Sequence, residues 1–203
     1  MPTRTLLAAL AAWLIGTALI AMPAAAQPQR IRGTIASLDG LVLTVTTREG
    51  PQVKITLADN YTVGALKKVD MAAITTGTFV GIAAAPAPGG GWRALEVLVF
   101  PEAGRGSGEG HYDWDLAPGS SMTNATVTAV VNGMNGRTVN LKYKDGTTDI
   151  TIPDGTPIVT PTTADRSDVK PGAAILIGAT KAADGSLTAA RMTVEKDGVK
   201  PPM

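Results

Sequence analysis

The sequence predicts an all-β protein made of two tandem small antiparallel β-barrels, OB-like Greek-key rings with one short helical turn each. Three observations predict it. Apolar and polar residues alternate over short runs. Gly, Pro, Asp and Asn separate those runs. The order of runs in the first half then returns in the second, 95 or 96 residues further on. A small β-sandwich or open meander is the alternative, but ring closure removes the exposed edges that endanger an exported β protein.

Residues 1–26 read as a secretory signal peptide. Arg4 precedes the apolar run Leu6 to Met22, and the small residues Pro23-Ala24-Ala25-Ala26 precede Gln27. Cleavage there predicts a periplasmic or secreted chain. Because the run nearly spans a bilayer, an uncleaved anchor is the alternative. No later run approaches a membrane span, so the expectation is no membrane span in the mature chain.

The first barrel is assigned to 27–100. Ile31, Gly33 and Ile35 lead to Asp39-Gly40, and Leu41, Leu43 and Val45 lead to Glu49-Gly50. Val53, Ile55 and Leu57 precede Asp59-Asn60, read as a turn. A polar helical stretch near Lys67 to Ile74 precedes strands at Phe79–Ile82 and Leu95–Val99. Period-two alternation marks half-buried strands, and the Asp-Gly and Glu-Gly pairs suit tight hairpin turns. The second barrel, 123–196, repeats this order. "GLVLTV" matches "GRTVNL", "VKITLADN" matches "TDITIPDG", and "TTGTFVGIAA" matches "VKPGAAILIGAT" with Gly77 on Gly172. "WRALEVLVF" matches "LTAARMTVE" with Ala94 on Ala189, and the helical stretch recurs near Ala164 to Val169. A constant separation points to duplication. Residues 101–122 form a linker, and 197–203 read as a frayed tail.

Composition excludes several functions. The 18 basic residues, less Arg4, balance the 17 acidic ones, so there is no basic stripe and no nucleic-acid partner is expected. Aromatics are only 4%, too few for a base-stacking platform. With no cysteine there is no disulfide, thiolate metal site or cysteine nucleophile.

The duplicated pattern "RIRGTI…DG-LVLTV…VKITLADN" resembles the exported bacterial domain called domain of unknown function family 5666. With "FPEAGRGSGEGH--WDL…MTNATV" and "PIVT…DVKPG", Arg30 to Met203 is similar to small exported proteobacterial proteins often labelled "metal ABC transporter permease". The resemblance implies export and a β fold, and it carries no established activity. The permease label requires several apolar spans that the mature sequence lacks.

The linker stretch "GEGHYDWD" holds the sole histidine. Glu109, His111, Asp113 and Asp115 occupy alternate positions, so an extended chain would face them one way and Tyr112 and Trp114 the other. His111 with Glu109 and Asp115 is the candidate metal set, suited to Zn, Mn or Cu(II), with Asp59, Asp154 or Asp165 as further ligand candidates. The competing expectation is a histidine that packs or hydrogen-bonds in an ordered linker. Gly104 to Gly108 reads as a flexible strap, and Asn124-Ala125-Thr126 matches a glycan acceptor.

The leading expectation is an exported non-enzymatic binding or scaffolding protein whose partner is a protein, a cell-envelope glycan or a small ligand. Its partner surface would lie around Trp114, Trp92 and Tyr112, with Tyr61 a further candidate. The alternatives are a periplasmic metal-binding accessory protein and a hydrolase with a carboxylate pair in the inter-barrel cleft.

Overall fold

The computed structural model describes residues 27–134 and 136–202. Residues 1–26, expected from the sequence to be a signal peptide, lie outside the described residues. Twelve strands follow one another: β1 (Gln27–Asp39), β2 (Val42–Thr47), β3 (Gln52–Lys68), β4 (Phe79–Pro86), β5 (Trp92–Val99), β6 (Gly110–Asp113), β7 (Ser121–Gly133), β8 (Gly136–Tyr143), β9 (Gly146–Pro153), β10 (Ile158–Thr163), β11 (Ala174–Lys181) and β12 (Leu187–Val194). Short 3-10 turns at Met71–Ala73 and Arg166–Asp168 stand where the helical stretches were expected.

The pairing closes a barrel. β1 pairs β2, β2 pairs β3, β3 pairs β12 in parallel, β12 pairs β11, and β11 returns to β1. Inward residues of these strands, among them Ile35, Leu43, Ile55, Ile177 and Met192, fill its core. The remaining long strands run in a second circuit, β4–β5–β9–β8–β7–β4. Its closing contact is brief and parallel, Trp92 against Ile150 and Arg93 against Thr151. Val80, Ile82, Val97, Leu141 and Ile150 are buried inside it. The expected all-β barrel architecture therefore holds.

The expected domain boundaries do not match this pairing. Residues 27–100 do not close on themselves, and neither do 123–196. The first barrel takes β1, β2 and β3 from one half of the chain and β11 and β12 from the other. The β4–β5 hairpin goes to β7 and β9 instead. Asp59-Asn60 is the local cause. Expected as a turn, it lies inside the 17-residue β3, at a register shift where the pairing steps from Ala189 with Leu57 to Arg191 with Thr62. A bulge bends a strand without ending it. β3 thus runs on to pair β10, from Gly64–Thr163 to Lys68–Val159, and delivers the next hairpin beyond the first barrel.

The exchange is reciprocal in its hydrogen bonds. Gly77 N–H donates to Val127 O at 2.8 Å, and Gly172 N–H donates to Ile35 O at 2.9 Å. Both glycines hold a positive φ, 89° and 88°. Matching bulges interrupt β1 between Ile35 and Ser37 and β7 between Val127 and Ala129. An added Cβ would meet nothing within 4 Å at either glycine. Gly77→Ala and Gly172→Ala are therefore expected to cost backbone strain alone, about 1–2 kcal/mol each. Urea unfolding checks both the size and the similarity of the two losses.

The tail is not frayed. Asp197 and Gly198 take consecutive positive φ values, 50° and 72°, and Lys196 bridges Val199. This Asp-Gly reversal sends the chain back onto the fold. Val199 joins Leu66 and Val159 in a small apolar cluster, and Pro201 is buried.

Candidate functional site

The linker is ordered, and its structure follows from its alternation. β6 pairs β7, His111 against Thr123 and Tyr112 against Met122, so successive side chains point to opposite faces. The glycine-rich Gly104 to Gly108 is a run of tight turns and not a loose strap. Backbone bonds tie Gly104 to Pro101, Arg105 to Glu102 and Ser107 to Gly104. Arg105 also donates to Gly77 O at 3.0 Å and pairs with Glu102.

On one face, His111 lies between Trp92 and Tyr143. Its ring meets Trp92 edge-on at 5.3 Å and stacks on Tyr143 at 6.1 Å. Its Nδ1 shares a 2.8 Å hydrogen bond with the Thr123 hydroxyl. Trp92 and Tyr143 in turn pack on the core of the second circuit. The histidine is thus part of the packing that covers that core.

On the other face, Tyr112 and Trp114 meet at 6.1 Å. The buried Asn124 holds this face by donating to Tyr112 Oη, Gly108 O and Ser107 O. Those bonds occupy its amide inside the fold, so the Asn124-Ala125-Thr126 pattern presents no accessible glycan acceptor.

Asp115 belongs to neither face. Its carboxylate pairs with Arg32 Nη1 at 2.9 Å and Arg30 Nε at 3.2 Å. Burial pushes this carboxyl up, but the two guanidiniums outweigh it and hold it below the usual range. Arg48 adds bonds to Asp115 O and Leu116 O, so three arginines clamp the linker onto the first barrel. The Arg30 guanidinium also lies 4.0 Å above the Trp114 ring.

The structure therefore does not bring His111, Glu109 and Asp115 together. Aromatic packing holds the imidazole, arginines hold Asp115, and Glu109 is exposed in the turn before β6. Among the described residues, no group of three His, Asp or Glu side chains could hold a metal ion. The expected exposed aromatic surface is also largely covered. Trp92 and Trp114 are half-buried, and Tyr61 is buried beneath Arg166, 4.1 Å from its ring. Tyr112 stays open at 39% exposure.

What the Tyr112–Trp114 face covers is a cavity. It lies between the two strand circuits and encloses about 260 Å³. Leu66, Leu98, Phe100, Met122 and Leu176 supply its apolar walls, and Pro202 of the tail closes part of it. A wider groove of about 790 Å³ on the outer side of β11, β12 and β3 shares Leu176 and Thr193 with it.

Glu96 is the one acidic residue in the cavity wall, so the expected carboxylate pair is not there. No group among the described residues hydrogen-bonds the Glu96 carboxyl. Burial pushes it up to about 7, opposed only by the Arg32 charge. Sequence reasoning missed this residue. The signal was an acid inside "ALEVLV", where turn chemistry cannot explain it. Arg30 and Arg32 were legible as well, since two cations flanking the inward Ile31 share the outer face of β1.

Comparison with protein-family models, curated proteins and solved structures finds no match for this chain.

Proposed function

We propose that this chain is an exported, non-enzymatic binding protein that takes a small, largely apolar ligand between its two strand circuits. The observation that carries the reading is the cavity. It is concave and mostly apolar, it is walled by both circuits and the linker, and it contains one carboxyl group that no group among the described residues hydrogen-bonds. Such pockets, mostly apolar with few convergent polar groups, are the usual form of small-ligand sites. The polar groups of the linker support binding over catalysis, because packing engages His111 and ion pairing engages Asp115. Export rests on the leader-like sequence of residues 1–26. We read the two circuits as a duplicated unit of OB-like type, supported by the matched glycines and bulges.

Met122→Trp tests the pocket by filling it. Met122 is half-buried on β7 and lines the cavity beside Trp114. The variant is expected to bind an apolar fluorescent reporter at least about tenfold more weakly, while its melting temperature moves by only a few degrees. Reporter affinity equal to wild type would sink the assignment of this cavity as the ligand site.

A further inference from the structure

We propose that the ligand of this pocket is a small apolar acid, and that the chain's own Pro202 holds the place of its carboxylate. The inference rests on the pocket reading above. Arg32 carries it. The residue is only 4% exposed, and its guanidinium reaches three ways. Nη1 pairs with Asp115. Nε donates to Pro202 O at 3.1 Å. Nη2 is buried and, among the described residues, has no hydrogen-bond partner.

Nε and Nη2 lie on the same edge of the guanidinium. That edge is the fork that binds a carboxylate through two parallel hydrogen bonds. Here a single neutral carbonyl fills one prong and leaves the other empty. A buried charged donor without a partner is costly, and a two-oxygen anion removes that cost where a carbonyl cannot. The fork is therefore half-satisfied by the wrong chemical group, and a carboxylate satisfies it fully.

The position of Pro202 links this fork to the pocket. Pro202 is part of the cavity wall as well as the acceptor for Arg32. When the tail lifts, the fork opens onto the same space that Leu66, Leu98, Phe100 and Leu176 line. An acid would place its head at Arg32 and its chain among those side chains. The tail is light enough to leave. It is held by the Lys196–Val199 reversal, by Val199 in its small cluster and by the burial of Pro201. Glu96 lines the same cavity, so its protonated form could donate to the incoming acid and its ionised form would repel it.

The test is calorimetric titration of the chain from residue 27 onward with straight-chain carboxylates from butanoate to octanoate. The alcohol and the amine of each length serve as controls, at about pH 6 so that Glu96 is mostly protonated. Three forms are compared: the intact chain, a chain ending at Lys200, and that shortened chain with Arg32→Lys. Carboxylates are expected to bind the shortened chain at least about tenfold more tightly than the intact one, because the competing carbonyl is gone. Arg32→Lys is expected to lose at least about tenfold, since an ammonium cannot span two oxygens. Alcohols that bind as well as carboxylates would overturn the fork and leave the pocket standing. Amines that bind best would overturn it in favour of Glu96. No binding by any probe would overturn both this inference and the pocket itself. Should Arg32→Lys fail to fold by near-ultraviolet circular dichroism, the carboxylate-to-alcohol ratio in the shortened chain still decides.

Discussion

Cutting the chain between Gly106 and Ser107 is expected to leave one particle, not two. Both residues are exposed, so a protease site can be inserted there. The fragments would carry β1 to β5 and β6 to β12. Two self-contained tandem barrels would separate under native conditions, or hold together only through their interface. Here each fragment owns part of both circuits. β1 pairs β11 from Gln27–Lys181 through Thr34–Ala174, and β4 pairs β7 from Phe79–Thr126 through Ala84–Ser121. Separation would break both ladders and open both cores to water. The cut protein is expected to elute from size exclusion at its uncut mass, and to part only in denaturant. Its melting temperature should rise with protein concentration, because folding has become an association. Two native peaks at half mass would refute the strand exchange.

Replacing Glu96 with Gln is expected to stabilise the protein increasingly as pH rises above about 4.5, and fully above about pH 7. The Glu96 carboxyl titrates near 4.5 when free and at about 7 in the fold, where burial disfavours its charge. Below 4.5 both states hold the proton and the group contributes nothing. As pH rises from there towards about 7 the unfolded chain ionises first, so wild-type stability falls across that window and then levels off. The shift corresponds to about 3 kcal/mol, or about 2 kcal/mol after allowing for the solvent its carboxyl still meets. Glu96→Gln should therefore exceed wild type by about 2 kcal/mol at about pH 8 and match it at about pH 4. Urea titrations at the two pH values measure the difference. A variant less stable than wild type at the higher pH would show that ionised Glu96 gains more from Arg32 than burial costs.

Sequence alone determined most of the local structure. Alternation located the strands, and the inward set Ile35, Leu43, Val45, Ile55 and Leu57 is the buried set. Asp39-Gly40 marks a hairpin, and the sequence-aligned Gly77 and Gly172 share a positive φ and matching backbone bonds. The two faces of "GHYDW" were legible too, because an extended chain has only two. Each of these is a property of a few neighbouring residues.

Tertiary structure decided which strand meets which. Asp59-Asn60 has the composition of a turn, yet it became a bulge because β12 was there to pair with β3 on both sides of it. Asp197-Gly198 lies in the stretch that reads as a frayed tail, yet it turns the chain back, because Val199 finds Leu66 and Val159. The metal set failed for a similar reason. Local spacing put Glu109, His111 and Asp115 on one side, but Arg32 and Arg30 from β1 drew Asp115 away, and Trp92 and Tyr143 took the histidine. Where β3 ends, and therefore which partner β4 reaches, depends on contacts more than 100 residues apart in the chain, such as Thr56 with Thr188. No short stretch of sequence contains that information.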